Sequence, residues 1–246
     1  MGGKVFFASD FHLGLKAGTD PSEREKRVVK WLETVYPEAS AIYLLGDVFD
    51  FWWEYRKVVP KGFTRFLGTV SKITDKGIPV HFFGGNHDMW FGNYLKEECG
   101  MILHTGPFVT TIDGRVFYLA HGEGLGTRDA GFRILLALFR SRFIRMLYSA
   151  IHPSIGVAIG HRWSQNSRLG KGISLGFLGE EKEDLFVHSA DVLKKQKIDY
   201  FIYGHRHLPM TRELKDGGVI TILGDWINAG IFAEWDGKQL ILKQAD

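Results

Sequence analysis

Cysteine is almost missing from this chain. Cys99 stands alone, so no disulfide can close within it, and a reducing, cytosolic compartment is favoured. Long apolar runs are missing too: no stretch reaches the roughly 18 residues that a bilayer-spanning helix needs. The N-terminus has no charged segment leading into an apolar one and a cleavage site. It enters Lys4–Ser9 directly, so no signal peptide is expected. A large charge imbalance is also lacking, since the net of +3 over 246 residues is too small to argue for nucleic acid. There are no repeats and no low-complexity tracts. With 45% of residues apolar and 24% charged, the composition is that of one folded domain with a sizeable core.

The charge that is present lies unevenly. Between positions 128 and 171 stand eight cations: Arg128, Arg133, Arg140, Arg142, Arg145, Arg162, Arg168 and Lys171. One acid, Asp129, accompanies them, a net of +7 that leaves −4 for the rest. A local basic block implies an anionic partner, whether a phosphate, a nucleic acid or a membrane surface.

Short runs of strand formers recur at Lys4–Ser9, Ala41–Leu45 and Val80–Phe83, each followed at once by polar residues. Helical patterns lie between them. Asp20-Pro21-Ser22-Glu23 reads as a helix start, and Val28, Trp31, Leu32 and Val35 recur at helical spacing after it. A second helix is expected over Phe63–Asp75. The alternation predicts an α/β core. Phe108–Ile112 and Arg115–Ala120, joined by Asp113-Gly114, read as a hairpin, and Tyr200–Tyr203 and Val219–Leu223 as later strands. The middle differs. Phe132–Ser149 reads as one or two apolar helices carrying arginines, broken by Pro153, Gly156 and Gly160, and Glu180–Lys195 as another helix. The expected organisation is a core of residues 1–123 and 181–246, with a helical cap inserted over 124–180.

Five short motifs carry the chemistry: Asp10-Phe11-His12, Gly46-Asp47-Val48-Phe49-Asp50, Gly85-Asn86-His87-Asp88, His121-Gly122-Glu123 and Gly204-His205-Arg206-His207. Singly each is weak, since a glycine and an aspartate after a strand usually make only a turn. Together they place carboxylate, imidazole and amide donors after successive strands, where one sheet edge can gather them. Such a donor set suits Mn²⁺, Fe²⁺, Zn²⁺ or similar ions, and a shared carboxylate can bridge two of them.

The set resembles the calcineurin-like metallophosphoesterase superfamily, whose pattern is D-x-H, G-D-x-x-D, G-N-H-[DE], H and G-H-x-H. The resemblance implies an αββα sandwich of two sheets flanked by helices. It also implies ligand roles: Asp10, His12, Asp47 and His207 at one metal, and Asp47, Asn86, His121 and His205 at the other, with Asp47 bridging. His87, oriented by Asp50, would be the catalytic non-ligand that stabilises the transition state or protonates the leaving group. Two divalent ions, manganese first among the candidates, are the implied cofactors.

Within that superfamily the chain resembles the UDP-2,3-diacylglucosamine hydrolases of lipid A synthesis. Three stretches carry this: Asp10-Phe11-His12-Leu13-Gly14; His121 to Asp129, with Glu123 where that branch has Asp; and Arg162-Trp163-Ser164-Gln165-Asn166-Ser167-Arg168. His87 departs from the Arg common in the branch. The resemblance implies water attack on the α-phosphorus of the UDP-linked diacylated glucosamine, with substrate contacts from Asn86, His87, Asp129, Arg162, Asn166, Arg168, Lys171 and His205. The apolar residues from Leu135 to Ile151 would take acyl chains or lie on an anionic membrane surface, with arginines at the headgroups. The plainer alternative is a helical hairpin core with solvated arginines. A cytoplasmic enzyme peripheral to the inner membrane is expected, with no nucleic acid and no protein partner. Two rivals remain: a metallophosphoesterase acting on a soluble nucleotide or phosphodiester, and a non-catalytic scaffold of the same fold. The remaining histidines, His81, His104, His152, His161 and His188, read as ordinary core or surface residues. Trp52, Trp53 and Trp90 could wall the cleft or pack in the core. No chemistry is assigned to Asp225-Trp226-Ile227-Asn228.

Overall fold

Each residue of a strand faces the side opposite to its neighbours, and here both sides are covered. Val5 and Phe7 point into one apolar layer, Phe6 and Ala8 into another. The computed structural model describes residues 3–127, 129–170 and 176–246, with the backbone alone over 165–170. In chain order the first part comprises β1 (Lys4–Ala8), α1 (Pro21–Val35), β2 (Ala39–Leu44), α2 (Thr64–Thr74), β3 (Val80–Phe83), α3 (Tyr94–Cys99) and β4 (Ile102–His104). There follow β5 (Phe108–Ile112), β6 (Arg115–Ala120), α4 (Ala130–Arg140), α5 (Arg142–Ser149), α6 (Pro153–Gly170) and α7 (Asp184–Leu193). The last strands are β7 (Tyr200–Tyr203), β8 (Met210–Glu213), β9 (Val219–Ile222), β10 (Ile231–Trp235) and β11 (Leu240–Gln244).

Two mixed sheets result. The first runs β11-β10-β1-β2-β3-β4, parallel from β1 to β4; the second runs β5-β6-β7-β9-β8, parallel across β6, β7 and β9. Phe7, Tyr43, Leu45, Phe83, Phe117, Leu119 and Trp235 interdigitate between the sheets. Outside the first sheet, Phe6, Ile42, Leu44 and Phe82 pack with Val28, Trp31 and Leu32 of α1 and with Phe66, Val70 and Ile73 of α2. Outside the second, Phe201, Tyr203 and Ile222 pack with Leu185 and Phe186 of α7. The αββα sandwich follows from this layering.

Local signals account for most boundaries. The Asp20 carboxylate accepts from the main-chain N–H groups of Ser22 (2.9 Å) and Glu23 (3.3 Å), and Pro21 opens α1. Asp113 and Gly114 both take positive φ, 49° and 76°, as a tight primed hairpin turn requires. One expectation is corrected. The helical pattern does break before Pro153, where α5 ends at Ser149 and α6 begins, but Gly156 and Gly160 do not break it, because α6 runs through both. Proline is harmless at the first helical position. The two glycines lie where the helix meets the core too closely for a side chain: a Cβ at Gly156 would strike the Tyr55 hydroxyl, and at Gly160 the ring of Phe51.

Candidate metal centre

The parallel strands deliver their carboxyl ends to one rim. Asp10 and His12 follow β1, Asp47 follows β2, Asn86 and His87 follow β3, His121 follows β6, and His205 and His207 follow β7. Turning out of a strand at once, with the side chain aimed back across the rim, needs an unusual backbone. Asp10, His12, Asp47, His205 and His207 all take φ between 46° and 67°, which leaves only Phe63 and Asp113 as the other left-handed non-glycine residues among those described. Such conformations cost about 1–3 kcal/mol each and persist where the surroundings enforce them.

The side chains converge. His12 Nε2 lies 3.8 Å from both Asp10 Oδ1 and Asp47 Oδ2, and 3.3 Å from His207 Nε2. His207 Nε2 is 3.2 Å from Asp10 Oδ1, and His121 Nε2 is 3.4 Å from Asp47 Oδ2. The His205 ring stands edge-on to His121 at 5.2 Å. Three sets offer ligand atoms within 4.8 Å of one another: Asp10, His12 and His207; Asp10, Asp47 and His121; and His12, Asp47 and His87. His87 therefore lies close enough to join a cluster, its Nε2 being 3.9 Å from Asp47 Oδ2.

Three of the gathered groups have a buried polar atom with no hydrogen-bond partner: Asp10 Oδ1, Asn86 Oδ1 and His121 Nε2. Each such orphan costs about 1–3 kcal/mol if left so. All three atoms can coordinate a cation, so the residues present fit a divalent metal centre. The electrostatics agree. Burial would lower the His207 imidazole, but the Asp10 carboxylate overrides it and pushes the ring up to about 10. His121 is likewise held well above its ordinary range, against burial, by Asp47. Burial would raise Asp47, yet the imidazoles of His121, His87 and His12 hold it well below the usual carboxylate range. Buried carboxylates here draw positive charge, as protons or as metal.

Supporting groups fix the ligands. His121 Nδ1–H donates to the Leu45 carbonyl (2.8 Å), which leaves Nε2 as the free lone pair. Four supports escaped the sequence reading. Asp88 is fully buried and accepts from the main-chain N–H groups of Asp47, Val48, Phe49 and Gly85, stapling two motif loops together. Arg24, also fully buried, donates to the carbonyls of His12, Leu15, Ala17 and Thr19, and so holds the loop that carries His12. Asp225 Oδ2 lies 3.6 Å from His207 Nδ1. The fourth is His161, described below. An arginine on a helix or an aspartate on a loop shows no such role until the chain closes around it.

His87 differs from expectation in how it meets Asp50. Its Nδ1–H donates to the Asp50 main-chain carbonyl (3.1 Å), not to the carboxylate. The carboxylate is taken by the cap: Ser164 Oγ donates at 2.7 Å and His161 Nδ1 lies at 3.2 Å.

Two cavities flank the cluster. One, of about 260 Å³, lies beneath α4, α5 and α6, with Phe51, Trp53, Trp90, Leu135, Phe139 and Ile144 among its walls and Asn86 and His87 also in its lining. The other, of about 290 Å³, is bounded by His205, Thr127, Asp129, Lys182 and Arg206. Asn86, His87, Asp129 and His205 thus reach cavity walls. Asp129 also caps α4, accepting from Phe132 N–H at 3.1 Å. Arg162 is exposed on α6 and lines neither cavity. Arg128 and Lys171 lie outside the described residues, as do the side chains of Asn166 and Arg168. Arg140 pairs with Glu123 at 2.8 Å while its side chain stays exposed.

Comparison with known proteins follows the same lines. The family model described as calcineurin-like phosphoesterase matches residues 3–209. A UDP-2,3-diacylglucosamine hydrolase of Porphyromonas gingivalis is 40% identical over 262 aligned residues, covering 100% of this chain and 99% of its own. Proteins of the same name from Ralstonia nicotianae and Shewanella pealeana are 28% and 26% identical, covering 92% and 97% of this chain and 85% and 97% of theirs.

Proposed function

The chain belongs to the calcineurin-like phosphoesterase family, and from that premise we propose that it hydrolyses UDP-2,3-diacylglucosamine in lipid A biosynthesis. Water attacks the α-phosphorus, and the products are UMP and 2,3-diacylglucosamine 1-phosphate. The observation that carries the lipid reading is the apolar cavity that has Asn86 and His87 in its lining. Burying a methylene yields about 0.8 kcal/mol, so eight would contribute roughly 6 kcal/mol before ordering costs. A soluble nucleotide substrate would leave that cavity wet.

Two divalent ions, which we take as Mn²⁺, would be held by Asp10, His12, Asp47, Asn86, His121, His205 and His207; bound there, they lower the pKa of a water and neutralise phosphoryl charge. The protein's own groups do the rest. Asp47 lies between the His12 and His121 sides and is placed to be shared. Because the His87 Nδ1–H donates its hydrogen bond to a carbonyl, Nε2 faces the reaction, and the imidazolium form would deliver its Nε2 proton to the departing phosphate oxygen, leaving the neutral Nδ1–H tautomer. Asp129, on the wall of the second cavity, is placed to accept from a sugar hydroxyl or amide, and Arg162, Asn166, Arg168 and Lys171 complete the proposed contacts to the substrate.

Membrane association belongs to the same reading. Among the described residues no helix is long and apolar enough to cross a membrane. The outer cap nevertheless shows Ile134, Phe143, Met146 and Trp163 more than half exposed, with exposed Arg133, Arg142 and Arg162 beside them. An apolar face rimmed by guanidinium groups suits the cytoplasmic leaflet of the inner membrane. The deciding experiment compares kcat/KM for UDP-2,3-diacylglucosamine and for UDP-N-acetylglucosamine with Mn²⁺. The lipid substrate should win by orders of magnitude; equal values would reject the lipid reading.

A further inference from the structure

We propose that Ser164 and His161, on the cap helix α6, are positioning residues for His87 and act through Asp50. Asp50 closes the Gly46–Asp50 motif, and its side chain is only 2% exposed. A carboxylate so deep needs donors. Ser164 Oγ donates to Oδ1 at 2.7 Å and His161 Nδ1 meets Oδ2 at 3.2 Å, both from α6. The main-chain carbonyl of the same residue receives the Nδ1 proton of His87 at 3.1 Å. One residue is thus gripped by the cap through its side chain while it sets the imidazole through its backbone. Two further bonds tie the same short segment to the rim: Asp50 N–H donates to the Leu13 carbonyl at 3.0 Å, and Trp52 N–H to that of His87 at 3.3 Å.

The seating of α6 is itself specified. Gly156, Gly160 and Ser164 recur every four residues and so share one face of the helix. That face lies along the segment from Tyr55 back to Asp50: the Tyr55 hydroxyl fills the place of a Cβ at Gly156, the Phe51 ring fills it at Gly160, and the Asp50 carboxylate meets the hydroxyl of Ser164. The close approach brings Ser164 within hydrogen-bond reach of the buried Asp50 carboxylate. The same wall, with Asp50, Phe51, Gly160 and Ser164, lines the apolar cavity beside His87. Cap seating and the aim of the proton-delivering imidazole are therefore one arrangement. This inference rests on the hydrolase reading of the site and is independent of the lipid.

The test uses the full enzyme with Mn²⁺ and bis(4-nitrophenyl) phosphate, which is too small to need the cap. Ser164→Ala should lower kcat about tenfold or more, in the range of outer-sphere partners, with KM and metal content unchanged. Ser164→Thr, which keeps the hydroxyl, should restore it, and His161→Asn should give a smaller loss. Introduced into His87→Ala, Ser164→Ala should cost nothing further, because the path it serves is gone. Full additivity with His87→Ala, or an effect confined to KM for the lipid, would overturn the proposal. A readout without turnover is ¹⁵N NMR of the imidazoles with diamagnetic Zn²⁺ in place of Mn²⁺: the neutral form of His87 should be a single Nδ1–H tautomer in the parent protein and a mixture in Ser164→Ala. An unchanged tautomer also overturns it. A parent enzyme inactive on every phosphodiester would refute the hydrolase reading instead, and the NMR comparison would still decide the positioning role.

Discussion

At the rim of strand ends, Asp10, Asp47 and His121 are almost wholly buried, and five candidate ligand residues hold left-handed backbones. In the cap above it the disposition is reversed. Ile134, Phe143 and Met146 are 63%, 62% and 60% exposed; α4 buries Leu136 alone among its residues, and α5 buries none. One region hides charge and strains its backbone, the other shows apolar surface to the outside. Neither is stable bookkeeping for a chain considered alone. The rim makes sense when cations satisfy its orphaned oxygen and nitrogen atoms. The cap makes sense when acyl chains fill its cavity and a lipid surface meets its outer face. Each region is shaped for something the polypeptide does not supply.

The comparison breaks most sharply at Asp47. Asp47→Ala removes the carboxylate that approaches both His12 (3.8 Å) and His121 (3.4 Å), so kcat should fall by roughly 10³-fold or more, as when a member of an acting unit is deleted. Metal content by elemental analysis should fall with it, while circular dichroism stays that of the folded protein. Near-parental turnover under metal-controlled conditions would sink the assignment of the rim. A milder effect is expected at Asp225, which backs His207 at 3.6 Å and whose N-terminal neighbours end β9. Its turn is held by Asn228 N–H donating to its carboxylate and by Trp226 N–H donating to the Asp10 carbonyl. Asp225→Asn should weaken metal affinity by about 10–100-fold, measured by calorimetric titration of the metal-free protein. Unchanged affinity would show that His207 needs no carboxylate behind it.

The cap is sharpened by a smaller change. Trp90 Nε1–H donates to the Phe139 carbonyl at 3.0 Å, and the two rings meet edge-to-face at 5.4 Å. Trp90→Phe removes the bond and keeps most of the ring. A neutral hydrogen bond is worth about 0.5–1.5 kcal/mol, so kcat/KM for the diacylated substrate should fall roughly two- to twelvefold. The loss on a small phosphodiester should be much less. Equal losses on both substrates would mean that the cap serves the rim more than the lipid.

How much of this was legible beforehand divides along the same line. The rim was readable, because ligand donors must follow strand ends and the five motifs keep that order; strand ends and motif residues coincide at Asp10, Asp47, His121 and His205. Its supports were not. Asp88 and Asp225 act on backbone or ring atoms distant in sequence, as when Asp88 meets Asp47 N–H and Asp225 the His207 ring, while Arg24 turns back onto the carbonyls of the loop just before it. Nothing local to those residues announces such a partner. The cap was half legible: its apolar composition points to helices, but Gly156 and Gly160 carried the wrong message. Glycine usually ends helices, and only the approach of Phe51 and Tyr55 shows why these two sit inside one. His161 was misjudged for the same reason, since its partner Asp50 lies 111 residues away.

The smallest expected effect lies away from both regions, and so separates stability from site chemistry. His81 on β3 and His104 on β4 share a hydrogen bond of 2.9 Å between Nδ1 and Nε2, so one proton lies between them and both rings are neutral. His81 stacks on Tyr43 at 4.2 Å, and His104 on Phe83 at 4.3 Å. Burial, with His104 beside it, pushes the His81 pKa down to about 4, and burial lowers His104 as well. The folded values thus lie below the ordinary 6.5 of the unfolded chain. As pH falls from about 6.5 towards about 4, the unfolded state takes up protons that the folded state refuses. Stability contributed by the neutral pair is complete above that window and is lost progressively through it. Replacing one ring would orphan the other, so both are changed together, as His81→Phe with His104→Leu. Thermal unfolding would be followed from pH 7.5 to 5 at saturating Mn²⁺, where the titration of the rim is common to both proteins and cancels in the difference. The parent Tm should drop more steeply with acid than that of the double variant. Parallel curves would show that the pair is not held neutral by its surroundings.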